Sequence, residues 1–371
     1  MPTEAVDTTL AESAEFFVRI KGEPIHLAKR PWLRRIYDSE MMDLDARSYS
    51  TIRRDPRPRR ATLLVTGRQT EKCGWELDKV MMVGGQWAML KDVQVGDEVL
   101  GLSLDGPWLE SARVTWKSER LLRRGRRIQT RMGNDLRVGE NHPIREWEQW
   151  VEASAVCVGD RIAAVRHTPF PGATREMDPD ELTLLAFLIA DGHLHPNQAS
   201  FTKQAGSPVD LEAQDVFRRM GITPHIVDDP GRTRSYRFRV GSEPRVYRLL
   251  EQAGLLGKLS AEKFVPSEVF QLPYDQLALF LNRLWACGGS VKRTHPTQYD
   301  FVYSSISERL VLDVQSLLWR FGIPTSRRSY KPEVYRETEK SHHLLRIETQ
   351  EGVFQFLTEI GALGKSENVP V

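Results

Sequence analysis

The feature that most constrains this chain is an internal repeat. Leu184 to Gly192 (LLAFLIADG) is an apolar run closed by one carboxylate, Asp191, and a glycine. Behind it come a candidate strand at Ala199 to Lys203, a helix from Leu211 to Met220 and the turn Gly221-Ile222-Thr223-Pro224. Alternating Tyr236, Phe238 and Val240 follow, then a helix ending in Gly254-Leu255-Leu256-Gly257-Lys258. The same order recurs as Leu281 to Gly289 (LNRLWACGG), Asp300 to Ser304, Val311 to Arg320, Gly322-Ile323-Pro324-Thr325, Leu344 to Glu348 and Gly361-Ala362-Leu363-Gly364-Lys365. Each copy is about 100 residues long, and the two stay in step over three landmarks. Chance apolar helices do not hold register in this way.

Glycine after each helix marks a C-terminal stop. Period-two segments with Arg on alternate positions, as in Arg234 to Arg239, predict a sheet with one polar face. The pattern is αββαββ in duplicate. On LLAFLIADG and this repeat, the segment resembles the LAGLIDADG homing endonucleases. The resemblance implies two helices packed side by side with their terminal acids presented to a pair of DNA backbones. It further implies a pseudo-twofold monomer whose sheets straddle the major groove, double-stranded DNA as partner, Mg2+ as cofactor and Asp191 as metal ligand. Independently, Arg232, Arg234, Arg237, Arg239, Arg327, Arg328 and Arg336 cluster in or beside predicted strands, where arginines neutralise phosphates or read guanine edges. Asp228, Asp229, Glu333 and Glu337 are interleaved, which leaves solvated sheet faces as the other reading.

The second copy departs from the pattern at its most important position. Setting Gly192 against Gly289 places Gly288 opposite Asp191, so the second acid is missing. In-line phosphodiester hydrolysis needs divalent ions bridging the attacking water and the leaving oxygen, held by carboxylate oxygens. Weak cleavage, nicking of one strand or no cleavage is therefore expected, unless Glu308 or Asp300 substitutes. The helices should still pack, because Ala186, Ala190, Ala286 and Gly288 are small. A catalytically dead, sequence-specific DNA-binding module thus stands beside the impaired endonuclease as a second reading. Lys263, in AEKFVP, resembles the basic residue that follows the first copy in intein-borne members and assists the hydrolytic water; Lys365 sits similarly after the second copy.

From Cys73 to about Arg166 the chain changes to short strands and Gly-Asp turns, predicting a small all-β unit. Cys73-Gly74-Trp75-Glu76-Leu77-Asp78-Lys79-Val80 with LKDVQVGDEVLG resembles the amino terminus of an intein, and RVGENHPI resembles the block whose histidine assists splicing. By this resemblance Cys73 attacks its preceding carbonyl and His142 protonates the leaving nitrogen, the thiol and imidazole chemistry that an N-to-S acyl shift needs. The family usually has threonine three residues before the histidine; Gly139 stands there, so a slow first step is expected. With Cys157 and Cys287 far away, neither a disulfide framework nor a CxxC metal site is indicated. The expected organisation is α+β: a host segment at 1–72, an incomplete all-β splicing domain of the Hint type at 73–170, and a duplicated αββαββα endonuclease at 178–371, divided into 178–270 and 271–371.

Residues 1–72 end in an apolar strand, Ala61 to Val65, and the loop TGRQTEK, the layout of a phosphate-binding loop with Gly67 and Lys72 as its ATP-binding residues. VTGRQTEK resembles the loop of phage terminase large subunits, interrupted where Ser or Thr would ligate magnesium. ATP binding is expected only in the spliced host, and a fragment of that packaging motor is a further reading. No His-Asn end is found before Val371, so splicing is expected to need a carboxyl-terminal intein fragment. A formal charge of +2 excludes a global basic field, so local patches must attract DNA. No signal peptide or bilayer-length apolar run is found, which predicts a cytoplasmic chain with no membrane partner.

Overall fold

The computed structural model describes residues 79–102, 109–122, 125–146, 149–169, 172–229, 232–295, 298–330, 341–367 and 369, with strands Arg19–Ile20, Glu23–Pro24, Arg59–Thr66 and Lys72–Trp75. It divides into two units, which meet in sequence between residues 164 and 165; segments 84–86 and 131–133 group with the second. No described helix is long and apolar enough to cross a membrane.

Among its described residues the first unit has strands, turns and one 3-10 turn, Leu90–Asp92, and no α-helix. Its largest sheet runs in the order Lys72–Trp75, Arg59–Thr66, Leu109–Leu122, Glu98–Leu102. Leu63 pairs with Cys73, so the strand that holds positions 72 and 73 and the strand before it lie in one sheet. Two hairpins follow, Arg126–Gln129 with Asp135–Val138 and Pro143–Arg145 with Trp150–Glu152. Val80, Leu90, Val93, Val99 and Val114 form one small core and Val138, Ile144 and Ala153 another. The two Val-Gly-Asp turns are built alike. Asp97 Oδ2 accepts from Gln94 N at 2.8 Å and Asp160 Oδ2 accepts from Cys157 N at 2.7 Å, a side-chain closure that favours Asp at this place in a turn.

The second unit is the duplicated one. Its first copy runs α1 (Pro179–Asp191), β1 (His193–Leu194), β2 (Gln198–Gln204), α2 (Pro208–Met220), β3 (His225–Asp229), β4 (Thr233–Arg239) and α3 (Pro244–Gln252). Its second copy runs α4 (Tyr274–Gly288), β5 (Gly289–His295), β6 (Gln298–Ser305), α5 (Glu308–Arg320), β7 (Thr325–Tyr330), β8 (His342–Ile347) and α6 (Gln350–Glu359). The sheets have matching orders, β1-β2-β4-β3 and β5-β6-β8-β7, antiparallel throughout. The αββαββα expectation for each copy therefore holds element by element.

Local chemistry explains the element ends. Asp178 caps α1 by accepting from Asp180 N and Glu181 N, with Pro179 as the first helical residue. Ser207 and Ser307 cap α2 and α5 in corresponding fashion, accepting from Asp210 N and Leu310 N. Gly221 and Gly322 terminate those helices at φ 67° and 68°, a left-handed conformation that glycine adopts without the Cβ penalty. Equal angles at matched landmarks show the duplication in the backbone itself.

One apolar core serves both copies. Leu182 through Ile189 of α1 are all buried, so this helix is covered on every side, and it packs directly against α4. Ala186 and Ala286, each almost wholly buried, are the small residues expected to let the two backbones approach. The packing places the carboxyl ends of α1 and α4 together.

Candidate nucleic-acid interface and helix-end centre

The centre is built from the last residues of α1 and α4 and from what meets them. Both helices end in a glycine that must be glycine for reasons of space. A Cβ on Gly192 would lie 2.5 Å from Leu188 O, and one on Gly289 would lie 2.3 Å from the Trp285 ring. The chain thus folds back tightly on the last helical turn and leads straight into a strand.

A lysine from beyond each copy closes each helix end. Lys263 Nζ donates to Leu188 O at 3.1 Å and Gly192 O at 2.7 Å; Lys365 Nζ donates to Trp285 O at 3.5 Å and Gly289 O at 2.5 Å. Leu188 and Trp285 correspond in the repeat, as do Gly192 and Gly289, so the two lysines make equivalent bonds. A cation there satisfies orphan carbonyls and meets the negative end of the helix dipole. Burial lowers the Lys263 ammonium to about 8 even though Asp191 and Cys287 raise it. Burial also lowers Lys365, assisted by the charge of Lys203.

Asp191 sits at the helix end where the dipole disfavours a carboxylate, by about 0.3–1 kcal/mol at an exposed site. What offsets this is Lys203, whose Nζ is ion-paired with Asp191 Oδ2. Ala199 and Phe201 are buried, and Lys203 continues their face of β2 toward α1. Burial works to lower Lys203, but negative charge at its neighbours, Cys287 once ionised and Asp191, outweighs it and the net shift is upward. Burial pushes the Cys287 thiol up to about 12, against the pull of Lys203, so its sulfur is uncharged at neutral pH.

The second copy has no such pair. Gly288 replaces the acid, and Tyr303 of β6 replaces the lysine. Lys203 stands four residues before the capping Ser207 and Tyr303 four before the capping Ser307, on equivalent core-facing positions. Tyr303 is 1% exposed, and a Cβ on Gly288 would lie 2.8 Å from its Cε2. Its ring also packs on Trp285 with centroids 5.6 Å apart. Burial holds its hydroxyl protonated well above the usual phenol range. The ring fills the volume that an acid would need.

The substitutes weighed for the missing acid lie elsewhere. Asp300 is on the face of β6 opposite Tyr303 and binds Arg346 at 2.6 Å, while Glu308, in the first turn of α5, binds Arg327 Nη1 at 2.9 Å. The expected magnesium therefore finds one carboxylate with a lysine on it, and glycine and an aromatic ring opposite. Among the described residues no group of three His, Cys, Asp or Glu is placed to hold a metal. Magnesium is usually held by one or two carboxylates, with waters and substrate phosphates completing its shell; here the one carboxylate carries Lys203, so the side chains around Asp191 do not fit the ion.

The arginines separate by face. On β4, Tyr236 and Phe238 point to the core while Arg237 and Arg239 are exposed; Arg232, just before the strand, is exposed too. Arg234 shares the core-facing parity. It is bound to Asp210 at 2.9 Å and Asp228 at 3.0 Å. In the second copy Arg328 is exposed, whereas Arg327 faces the core side, 13% exposed and tied to Glu308. Arg234 and Arg327 are thus engaged by acids of their own copies rather than presented on the open faces. Lys292 and Arg346 stand on the open face of the second sheet, which alternation with buried Phe301, Tyr303, Leu345 and Ile347 marks. Arg336, Glu333 and Glu337 lie outside the described residues.

In the first unit His142 is half-buried in the turn after Asp135–Val138; its N donates to Gly139 O at 3.1 Å and its O accepts from Ala153 N at 2.8 Å. Cys73 and Lys72 belong to the strand Lys72–Trp75, which lies beside Asp135–Val138; their side chains are outside the described residues. Gly67 is also outside them. Lys72 starts a strand antiparallel to Arg59–Thr66, so among the described residues a strand, not a helix, follows this segment.

Residues 275–361, within the second copy, match the family model of LAGLIDADG-like domains. Among curated proteins, the replicative DNA helicase DnaB of Synechocystis is 30% identical over 285 residues, 71% of this chain and 31% of the helicase. Protein RecA of Mycobacterium tuberculosis is 27% identical over 222 residues, 58% of this chain and 27% of RecA. The chain thus spans about a third or less of the length of these relatives. A crystal structure of I-DmoI in complex with DNA and Ca is similar over 49% of this chain and 88% of that one, with 12% identity and a TM-score of 0.35.

Proposed function

We propose that residues 178–371 recognise duplex DNA as a LAGLIDADG-type homing endonuclease unit whose cleavage is impaired on the Gly288 side. The observation that carries this is the pairing of two helix ends with matched lysine caps but only one acid, flanked by sheets with Arg237, Arg239, Arg328 and Arg346 on their open faces. Arginines so exposed supply the phosphate and base-edge contacts that the interface needs.

The unit is proposed to travel inside an intein, with a Hint-type splicing domain at 73–170 in which Cys73 is the nucleophile and His142 its proton donor. Support comes from two relatives with different names, a helicase and RecA, each matched over less than a third of its length. Matches covering 58–71% of this chain are too long to lie within residues 1–72, so what the relatives share includes an element beyond the host segment. The proximity of the Cys73 strand to the strand leading into His142 is in keeping with that reading. The host at 1–72 is proposed as a P-loop ATPase acting on DNA. The terminase assignment rests on VTGRQTEK alone, and the names of the relatives favour a helicase- or RecA-like host.

Selection of the full chain against a duplex pool with a randomised core tests the recognition. Enrichment of one long consensus is the expected result; binding that stays uniform across sequences would overturn it. Thiol-induced release of a fragment ending at Lys72, lost in Cys73→Ala, tests the splicing chemistry separately.

A further inference from the structure

We propose that the helix-end centre is a phosphate site whose resident cation is Lys203, standing where a divalent ion would otherwise stand, so that DNA is bound there without metal. The inference rests on the DNA-binding reading above and deepens it. Three lysines stand at the helix ends with one carboxylate, Asp191: Lys203 is paired with it, while Lys263 and Lys365 cap the carbonyls of Gly192 and Gly289. The neighbouring Cys287 thiol is uncharged, and Tyr303 contributes no negative charge. The excess is positive, which suits an incoming anion and opposes an incoming cation.

The two sides of the centre explain why this arrangement is stable. On the first, a metal approaching Asp191 must displace Lys203, which is ion-paired with the carboxylate. On the second, the side chain that would complete a metal-ligand pair is absent and Tyr303 has closed its space. Asp191 with 36% side-chain exposure and Lys203 with 16% form the open part of the centre, where a backbone phosphate of duplex DNA has access. Lys263 and Lys365 lie behind them, with their bonds committed to the helix carbonyls. A phosphate oxygen there shares Lys203 with Asp191, and the carboxylate keeps the ammonium oriented.

Titrating the full chain with Mn2+, followed by electron paramagnetic resonance, should show no uptake tighter than about 1 mM. Tighter, stoichiometric uptake overturns the inference. Binding to the duplex selected above should be unchanged, at constant ionic strength, when EDTA replaces Mg2+. Lys203→Met should lower the slope of log K against log salt by about 1, and Lys203→Arg should restore it. An unchanged slope in a folded Lys203→Met protein overturns the inference, as does DNA binding that requires Mg2+. Absence of DNA binding with and without Mg2+ overturns the DNA-recognition reading itself, whereas DNA binding only with Mg2+ leaves that reading intact. The Mn2+ result and the EDTA comparison need no variant, so misfolding of Lys203→Met does not leave the question open.

Discussion

The two copies of the repeat agree in strand order, caps and left-handed glycines, yet they differ at the one place where chemistry would occur. In the first, an acid at a helix end is neutralised by Lys203. In the second, glycine and tyrosine occupy the same two positions and the site is apolar. The lysine caps were kept in both copies, because they satisfy helix carbonyls whatever the neighbouring position holds. The second copy holds the same fold without an acid, and Tyr303 fills the space beside Gly288. Architecture and chemistry are therefore separable in this unit, and the difference between its halves shows which residues serve each.

The largest test of that comparison is to treat the equivalent strand residues alike. Tyr303→Ala should destabilise the chain by about 3–5 kcal/mol, as deletion of a large buried aromatic does, while Lys203→Ala should cost much less because Lys203 is partly exposed. Denaturant midpoints decide it; equal losses would mean that the positions are not different in kind.

Next in size is the titration of Lys263. Its folded value of about 8 lies below the ordinary 10.5, so the folded chain binds this proton less readily than the unfolded chain. The penalty is fully present below pH 8 and is lifted as pH rises to 10.5, with a span on the order of 3 kcal/mol. Stability of the wild type relative to Lys263→Met should accordingly rise over that window in parallel denaturation series. A flat difference would show that burial does not set the lysine.

Rebuilding the acid comes third. Gly288→Asp alone should cost about 1–3 kcal/mol through overpacking against Tyr303 and should not produce cleavage. Gly288→Asp with Tyr303→Lys, which copies the first half into the second, should recover the lost stability in part. Recovery by the single variant, or none by the pair, would break the equivalence of the two positions.

The smallest effects are those of the exposed interface arginines, against which Arg234 is the contrast. Arg237→Ala and Arg328→Ala should each reduce the salt slope of DNA binding by about 1 without altering stability. Arg234→Ala should instead lower the melting temperature, since it breaks a pair with the fully buried Asp210. The reverse pattern would mean that the wrong face of the sheet has been assigned to DNA.

Much of this was readable along the chain. Apolar runs, stop glycines and alternation are properties of near neighbours, so the order of elements, the duplication, the missing second acid and a lysine after each copy all follow from sequence. Lys203 and Tyr303 were missed although their four-residue spacing to Ser207 and Ser307 was visible, because a residue at the end of a strand pattern does not declare what it faces. Only the packing of each sheet against the helices of its own copy decided that Lys203 meets Asp191, that Tyr303 closes the space over Gly288, and that Arg234 and Arg327 turn to acids within their own copies. Those contacts join different elements of one copy, 12 residues apart for Lys203 and Asp191 and 19 for Arg327 and Glu308, and whether they form depends on distances that spacing along one strand does not contain.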